Sequence, residues 1–469
     1  MGQSQRLALL VVVAACGEVT PIVPDAATDA PVLPEITMVS AARSVITAEI
    51  TIAGVRFGDA QGTGKVEFGG VTASITSWSD TSIVAVVPDL FPRDAPIVVT
   101  NAFGAGEAQP FRVTLRPAVY LNNDATDSNG TNTITMMAMD LATGALTEVT
   151  PPTQMGTMAS VYGGCSQSIW IHEATRRLFA TGATGVAVFD IHPVTGALSP
   201  VIGSPFPNGG NRSFGVLTNA AGTRVFVANF DSQNIAVFDV SSTGVLTAVP
   251  GSPFATTTTC DTLTLAFDDR FLYANYYGYP NGVFDGFAIG TDGSLSTIDG
   301  MSRLGGSSIV VRPGHNQLFI PQTVFDTGAT QVSVWNIDPV TGVPTEATAE
   351  GSPFAFDAPD SGFPDSPVFT PDGRQLYIAP DNAGWVVGFT LDDAGIPTPI
   401  NGSPWQSGGI TDMSCEVMSR DGTMILSVGE AQNSVAVFKL IGDTPSQVVG
   451  SPFTHTTPAS NASGIAITF

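Results

Sequence analysis

Lysine is almost missing from this chain, and positive charge in general is scarce. Only Lys65 and Lys439 are lysine among 469 residues, and 17 Lys+Arg face 41 Asp+Glu, for a formal net charge of −24 at pH 7. A nucleic-acid-binding protein needs a basic face that displaces counterions from phosphates. Because no basic run occurs here, we expect no nucleic-acid partner. The acidity favours solubility or, alternatively, a cation or a cationic partner.

Several catalytic and membrane signatures are also missing. No segment has the run of about 18 apolar residues that a membrane-spanning helix needs. No glycine-rich phosphate fingerprint follows a strand and opens a helix, so we expect no nucleotide cofactor. Gly-x-Ser-x-Gly is absent, and no Ser/His/Asp order stands out. What is abundant is Gly (50) and Pro (34) beside 43% hydrophobic residues, a composition that indicates many short strands around a large core.

The first sixteen residues combine one positive charge with a short apolar run and a cysteine. Arg6 precedes an apolar run at 7–15 that is too short to span a bilayer but suits a signal peptide. The run ends in Val-Ala-Ala-Cys16, which resembles the bacterial lipobox, and the resemblance implies diacylation of Cys16 and a lipid anchor. An ordinary signal peptide with a chance cysteine is the alternative. Gly17 in place of aspartate favours the outer membrane or cell surface over inner-membrane retention.

Two segments follow the signal peptide (1–16). Residues 17–33 are rich in Pro, Ala, Thr and Asp and predict a flexible tether. Residues 34–114 alternate short β-rich runs with turn residues, which indicates a β-sandwich. This segment resembles the IPT/TIG family of immunoglobulin-like domains, which serve as spacers or interaction modules in bacterial surface proteins. The resemblance rests on Gly54-x-x-Phe57-Gly58, Val66-x-Phe68-Gly69-Gly70, Trp78-Ser79-Asp80-Thr81 and Val98-Val99-Thr100-Asn101.

Residues 115–469 contain a repeat of about fifty residues. Gly-Ser-Pro-Phe occurs at 203–206, 251–254, 351–354 and 450–453, and Gly-Ser-Pro-Trp at 402–405. A β-rich run precedes each copy, and its anchor residue falls at seven places: Met139, Phe189, Phe238, Phe287, Trp335, Phe389 and Phe438. Four short strands in each repeat are typical of a propeller blade.

The ends of this region indicate how the ring closes. Residues 119–123 resemble 225–229, which form the last strand of a repeat, and the chain stops after 465–469, where such a strand is due. The sequence therefore predicts an all-β protein: an immunoglobulin-like β-sandwich followed by a seven-bladed β-propeller closed by N-terminal strand exchange. The repeat region resembles the lactonase-like propellers, the superfamily of 6-phosphogluconolactonase and of YVTN-repeat surface proteins.

The resemblance to lactonases makes the mouth of the central channel the place to look for chemistry. Lactone hydrolysis needs a group that activates water and a cation that holds the developing oxyanion. Alignment of the repeats predicts Arg212, Asp261, Asp365 and Glu416 at this rim, as an acid/base and oxyanion set or as an oxygen site for calcium. Carboxylates that merely hydrate the channel mouth are the competing interpretation. The four histidines, which the alignment does not bring to the rim, are expected at surface or turn positions: His172, His192, His315 and His455.

Cysteines and one acidic loop complete the candidates. Cys165, Cys260 and Cys415 occupy nearly the same place in three repeats without zinc spacing, so they are expected to be buried small residues or to include one disulfide. The loop Asp124-x-x-Asp127-x-Asn129 offers oxygen ligands for Ca²⁺ but lacks the spacing of an EF-hand, and a solvated hairpin loop competes with that interpretation.

Two functions fit these observations. The first is a lipid-anchored envelope protein whose propeller binds a protein, a glycan or another envelope component. The alternative, implied by the resemblance, is a hydrolase of a sugar lactone. A calcium-stabilised structural module is a third possibility.

Overall fold

The computed structural model describes residues 32–123, 132–156, 167–276, 283–299, 301, 306, 308–324, 329–356, 363–381, 384–410, 413–429, 432–456 and 462–469. Cys16, the tether up to residue 31, the calcium candidates Asp124, Asp127 and Asn129, and Cys165 lie outside these ranges. In the part of the chain that is described, we find no helix with the length and apolar character needed to cross a membrane.

Residues 35–113 form a β-sandwich. The strand Glu49–Val55 alternates exposed or half-buried residues with buried ones, and Ser82–Val86 alternates half-buried and buried residues, so each presents one apolar face to the core. Ile50, Ile52 and Ile83 from those faces pack with Phe68 in one hydrophobic core. The first four-stranded sheet has the order Glu35–Val39, Glu49–Val55, Ser82–Val86, Ser74–Trp78; the second has Gly104–Ala105, Ile97–Asn101, Lys65–Phe68, Val71–Thr72; a small third sheet has Arg43–Ser44, Arg112–Val113, Arg93–Asp94.

Seven antiparallel sheets follow, and we number them blades 1 to 7, with strands given from the inside outwards. Blade 1 is Ala462–Ile467, Ala118–Asn123, Thr133–Met139, Leu146–Gln154. Blade 2 is Ile169–His172, Arg177–Gly182, Gly185–Ile191, Leu198–Pro200, Phe206–Pro207; blade 3 is Ser213–Thr218, Arg224–Asn229, Asn234–Val240, Leu246–Ala248, Phe254–Ala255; blade 4 is Thr262–Ala266, Phe271–Tyr276, Val283–Ile289, Leu295–Thr297.

Blade 5 is Val310–Val311, Gln317–Val324, Ala329–Ile337, Pro344–Glu346, Phe354–Phe356; blade 6 is Phe363–Phe369, Gln375–Asp381, Trp385–Leu391, Pro397–Pro399, Trp405–Gln406; blade 7 is Met413–Met418, Met424–Gly429, Ser434–Ile441, Thr444–Gln447, Phe453–Thr454. Two 3₁₀ turns, Glu173–Thr175 and Thr348–Glu350, interrupt the pattern.

The middle strands of each blade are apolar on both faces because each blade packs between two others. The third strand of blade 2, Gly185–Ile191, has five consecutive buried residues at its start. Hydrophobic clusters fill the seams between neighbouring blades, and one of them joins Val119 and Leu121 of blade 1 to Leu426 and Val437 of blade 7. All seven predicted anchor residues lie in third strands and are buried.

The two ends of the propeller meet in blade 1. Ala118–Asn123 pairs antiparallel with Ala462–Ile467, with Val119 opposite Ile467 and Leu121 opposite Ile465. Each sequence repeat begins at the third strand of a blade. Its first strands therefore complete one blade, and its last two strands begin the next blade. Ala462–Ile467 thus belongs to the same sheet as Ala118–Asn123, Thr133–Met139 and Leu146–Gln154.

The repeated Gly-Ser-Pro-aromatic segment forms the outer corner of five blades. In blade 3 the Ser252 hydroxyl accepts a hydrogen bond from Val237 N at 2.9 Å, and Gly251 has a φ of 88°, a conformation that favours glycine. The aromatic residue, here Phe254, then pairs with the third strand at Ile235. Corresponding serine bonds occur at Ser204, Ser352, Ser403 and Ser451. The motif is thus a structural corner and not a ligand site.

Candidate functional site

A cavity of about 490 Å³ lies where the innermost strands of the blades converge. Its wall includes residues of blades 1, 2, 4, 5, 6 and 7. The polar side chains among the lining residues belong to Gln167, Glu173, Thr262, Thr264, Ser308, Ser366, Glu416, Arg420 and Thr468. This volume lies in the range of small-molecule pockets.

Glu416 lines this cavity and lies on an innermost strand, Met413–Met418 of blade 7. Its Oε2 accepts a hydrogen bond from Ala379 N in blade 6 at 2.8 Å. Its Oε1 is buried and has no hydrogen-bond partner among the described residues. Glu416 therefore joins blade 7 to blade 6 with one oxygen and holds the other in an unsatisfied position beside the cavity.

Burial of this carboxyl group changes its protonation. Desolvation raises the pKa of Glu416 to about 8, against the smaller opposing effect of the Ala379 N–H. Near neutral pH the group is therefore mostly the uncharged acid. A neutral carboxyl can donate one hydrogen bond as well as accept, whereas a carboxylate can only accept.

Irregular backbone positions Glu416. The register of Met413–Met418 shifts between Ser414 and Glu416, and Cys415 at the shift has a φ of 45°. Blade 6 has a matching shift between Asp365 and Val368, directly after the pair that Asp365 forms with Ala379. Bulges of this kind re-aim side chains and are frequent beside functional sites. Here they turn the Glu416 side chain to the next blade.

One end of the cavity is bordered by an ion-pair cluster. Arg420 Nη1 lies 2.9 Å from Glu173 Oε2, and both residues line the cavity. Arg112 of the sandwich domain reaches the same oxygen at 3.1 Å and also pairs with Asp94 at 2.8 Å. The two arginines neutralise Glu173, whose side chain is only 13% exposed.

The same end of the propeller holds the sandwich domain. Arg43 Nη2 lies 2.6 Å from Asp421 Oδ2 in blade 7. Val194 of blade 2 packs against the sandwich core, and Arg116 N donates to Pro193 O at 2.8 Å. The sandwich therefore lies against the turn between the first and second strands of blade 7 and the turn between the third and fourth strands of blade 2.

Arg212, the predicted cation, is placed away from the cavity wall. Its guanidinium lies over the rings of Phe214 and Phe230, at 5.2 and 4.9 Å from their centroids, and pairs with Asp231 at 3.4 Å. The side chain is 40% exposed. Cation–π stacking and an exposed ion pair hold Arg212 at the surface of blade 3. The structure does not bring it to Glu416.

The remaining two rim candidates lie in other blades. Asp261 directly precedes Thr262, a cavity residue, and its backbone N donates to Asn275 O at 3.0 Å. Asp365 pairs through its backbone with Ala379, the residue that donates to Glu416. The Asp365 side chain lies outside the described part of the structure. Of the four candidates, Glu416 is the one whose described side chain borders the cavity.

The cysteines divide into two kinds. Cys260 is a free, buried thiol, and burial raises its pKa to about 12. Cys415, which lines the cavity, is disulfide-bonded, and the other half of its bond lies outside the described residues. Cys260 thus matches the expectation of a buried small residue, and Cys415 matches the expectation of a disulfide.

One histidine departs from the expectation of a surface or turn position. His455 is 5% exposed, and neither ring nitrogen has a hydrogen-bond partner among the described residues. Burial lowers its pKa. His192 is exposed, while His172 is half-buried and bonds Thr175 Oγ1 at 2.9 Å. His455 is buried because its position is the one where Phe356 closes the seam in blade 5.

Sequence reasoning did not identify the cavity residues Gln167 and Ser308 or the Glu173–Arg420 pair. Gln167 Oε1 accepts from Leu263 N at 3.2 Å, and Gln167 O accepts from Val216 N at 2.8 Å, so this residue links three blades. No motif marks such a residue.

Over the described ranges, no group of three or more His, Cys, Asp or Glu side chains could hold a metal ion. The calcium interpretation of Asp124, Asp127 and Asn129 stays a prediction.

Comparison with known proteins supports the architecture. Residues 34–113 match the family model of the IPT/TIG domain. No curated protein sequence matches the chain. The propeller aligns with several solved structures over 75% of this chain, at sequence identities between 12% and 15%.

These similar structures share the propeller fold. The periplasmic gluconolactonase of Pseudomonas aeruginosa aligns with a TM-score of 0.57 at 15% identity and is covered over 99% of its length. A candidate 6-phosphogluconolactonase from Bacteroides fragilis aligns with a TM-score of 0.58 at 14% identity, over 98% of its length. A functionally unknown protein from Desulfotomaculum acetoxidans aligns with a TM-score of 0.53 at 12% identity, over 98% of its length. At this identity the likeness establishes a lactonase-like β-propeller fold and not an activity.

Proposed function

We propose that this chain is an exported, lipid-anchored envelope protein whose propeller binds a small hydroxylated molecule, such as a short glycan, in its central cavity. The sandwich domain contacts the propeller through the ion pairs of Arg43 and Arg112. The lipobox-like Val-Ala-Ala-Cys16 and the following tether support attachment to the outer membrane or the cell surface.

The observation that carries the binding proposal is the cavity with Glu416 in its wall. The same wall includes the hydroxyl-bearing residues Thr264 and Ser308. Aliphatic side chains, such as Ile309 and Val417, surround them. This mixture of a few polar groups in an apolar wall is typical of small-ligand pockets.

The test of binding uses the full chain solubilised in detergent and a panel of neutral monosaccharides and disaccharides, measured by titration calorimetry. Val417→Trp places a large side chain in the cavity and is expected to abolish binding. Val340→Trp is the matched control, since Val340 is 81% exposed on the surface of blade 5. Binding that survives Val417→Trp in folded protein would remove the cavity as the site.

The anchor has a separate test. In a bacterial host the wild-type chain should incorporate labelled fatty acid and enter the detergent phase of a phase separation, whereas Cys16→Ser should do neither. A wild-type chain that remains unlabelled and in the aqueous phase would contradict lipidation while leaving the binding proposal intact.

Hydrolysis of a sugar lactone is the second candidate. The fold shared with the gluconolactonase of Pseudomonas aeruginosa and the raised pKa of Glu416 favour it, because a carboxyl that titrates near neutral pH is suited to proton transfer. Against it stands Arg212, which lies over Phe214 and Phe230 instead of facing Glu416. Proton release measured with a panel of sugar lactones tests this candidate. Turnover that is lost in Glu416→Gln but kept in Arg212→Ala would support an acid/base role for Glu416.

A further inference from the structure

The sandwich domain has one end at the propeller and one end away from it. The strand Glu49–Val55 connects the two ends. Its first residue pairs with Val86, shortly before the segment 89–91 that contacts Arg176 of blade 2. Its last residue pairs with Glu35, near the start of the described chain. The chain therefore enters the sandwich at the end opposite the propeller.

Apolar side chains are exposed at this entry end. Phe103, in the turn between the paired strands Ile97–Asn101 and Gly104–Ala105, is 67% exposed, Val32 is 46% exposed and Leu33 is 38% exposed. A groove of about 320 Å³ opens beside the turn, with Val32 and Phe103 in its wall. We call Val32, Leu33 and Phe103 the distal tip. Grouped apolar side chains at such exposure mark a contact surface for an apolar partner.

Asn101 fixes the shape of the distal tip. Its Oδ1 accepts hydrogen bonds from Phe103 N at 2.8 Å and from Gly104 N at 3.1 Å. Its Nδ2 donates to Val32 O at 3.0 Å and to Arg56 O at 2.9 Å. One side chain thus ties the turn that exposes Phe103 to the entering segment. A surface held in this way loses little conformational freedom when it meets a partner.

The charges around the distal tip decide which partner fits. Among the described residues at this end, Arg56 pairs with Glu35 at 2.7 Å and Lys65 pairs with Glu67 at 2.9 Å. Asp59 is exposed in the loop that follows Arg56. Because the cations are matched by carboxylates, the tip has no excess positive charge for an anionic surface. An apolar or zwitterionic surface meets no electrostatic barrier there.

The distal tip is also the part of the described chain nearest in sequence to the proposed lipid anchor. Residues 17–31 separate Cys16 from Val32. A flexible segment of this length spans roughly 20 Å on average. An anchor at Cys16 would hold the tip close to the bilayer at an effective concentration on the order of millimolar. Even a weak apolar contact is populated at such a concentration.

We propose that the distal tip lies on a zwitterionic lipid bilayer, with the Phe103 ring inserted at the level of the headgroups and Val32 and Leu33 beside it. The proposal rests on the lipid anchor of the proposed function. The acyl chains supply the attachment, and the tip sets the orientation. The sandwich then holds the propeller off the bilayer by roughly 20 Å, the length of a seven-residue strand such as Glu49–Val55.

The experiment uses the full, lipidated chain in phosphatidylcholine vesicles whose brominated acyl chains quench tryptophan on contact. After subtraction of the wild-type emission, Phe103→Trp should be quenched about twofold or more relative to vesicles without bromine. Val340→Trp is the matched control, since Val340 is 81% exposed on blade 5, and it should keep its emission. Quenching of Phe103→Trp that is no greater than that of Val340→Trp would overturn the contact.

A second reporter tests whether Phe103 itself makes the contact. Leu33→Trp should be quenched in the same vesicles, and the quenching should be lost when Phe103→Asp is added, because a charge resists insertion. Circular dichroism checks that the double variant is folded. Phosphatidylglycerol added to the vesicles should not increase the quenching. Quenching that persists with Phe103→Asp, or that requires phosphatidylglycerol, would contradict the proposed mode of contact.

The anchor and the tip contact fail separately. A wild-type chain that incorporates no labelled fatty acid overturns the anchor and the tip contact with it. A lipidated chain in which Phe103→Trp is not quenched overturns the tip contact and leaves the anchor. A blue shift of Phe103→Trp without quenching, growing with the ratio of protein to lipid, assigns the tip to a second copy of the chain and overturns the bilayer as its partner.

Discussion

The guanidinium of Arg176 in blade 2 lies 4.5 Å from the ring centroid of Phe91 in the sandwich domain. The same side chain donates through Nη2 to Asp89 Oδ1 at 3.0 Å and to Leu90 O at 2.5 Å. Arg176 thus holds three consecutive residues of the neighbouring domain. These contacts join the sandwich directly to blade 2.

Arg176→Ala should separate the unfolding of the two domains. Loss of the cation–π contact and of the bond to Leu90 O removes about 1–2 kcal/mol of coupling. Calorimetry should then show the sandwich melting apart from the propeller, and proteolysis should cut faster near 114–117. Arg224→Ala, which breaks an ion pair within blade 3, is the control and should leave the domains coupled. Unchanged melting of Arg176→Ala would contradict this role.

Ser252→Ala should weaken one outer corner of the propeller. The substitution removes the acceptor of Val237 N, and the net loss of such a bond is about 1 kcal/mol. Urea denaturation measures the free energy of unfolding. The exposed Ser199 provides the control, and Ser199→Ala should change stability by a few tenths of a kcal/mol at most. Equal effects of the two substitutions would show that the corner bond does not contribute.

Glu416→Gln should become the more stable protein as pH rises. The folded-state pKa of about 8 lies above the ordinary value of 4.5, so the folded state retains a proton that the unfolded state has lost between these values. Wild type therefore loses stability through this window, by at most roughly 5 kcal/mol, relative to the variant. Melting temperatures of both proteins between pH 5 and pH 9 test the sign. A difference that stays constant with pH would refute it.

His455 should make the seam between blades 7 and 1 sensitive to acid. Burial lowers its pKa, with Glu148 opposing, so the unfolded state binds the proton first as pH falls through the ordinary value near 6.5. Stability should drop below that pH. His455→Phe copies Phe356 of blade 5 and should flatten the profile between pH 7.5 and pH 5. If the stability of His455→Phe follows the wild-type curve, the acid sensitivity comes from other groups.

Cys260 should resist thiol reagents in the native protein. The thiol is buried, and desolvation raises its pKa to about 12, so the reactive thiolate is scarce. Ellman's reagent at pH 8 should modify Cys260 only after denaturation, with Cys260→Ser identifying the signal. Rapid modification in folded protein would mean that the seam between blades 3 and 4 opens.

The sandwich and the propeller could be predicted from the sequence because both are coded locally. Runs such as 186–189 are apolar on consecutive residues because a blade strand is buried on both faces. The pair Gly203 and Ser204 recurs because the outer corner of five blades uses a positive φ and a hydroxyl acceptor. Repetition makes these signals visible, since each blade solves the same packing problem.

The candidate site was only partly predictable. Alignment of the repeats predicted both Glu416 and Arg212 at the rim of the channel. It could not show that Glu416 borders the cavity while Arg212 lies over the aromatic rings of Phe214 and Phe230. The direction of each side chain depends on a bulge or a left-handed residue, such as Cys415 with a φ of 45°. A one-residue shift in a strand moves a side chain to the other face, and periodicity does not report it.

By itself, then, the sequence determined the order of the domains, the repeat, the blade strands and the outer corners, because these follow from local turn chemistry and from strands buried on both faces. The tertiary structure alone decided that Glu416 of blade 7 meets Ala379 of blade 6, that His455 is buried, and that Arg112 and Arg176 lie between the domains. These are contacts between segments far apart in the chain, and their energies depend on desolvation by neighbours that no local pattern specifies.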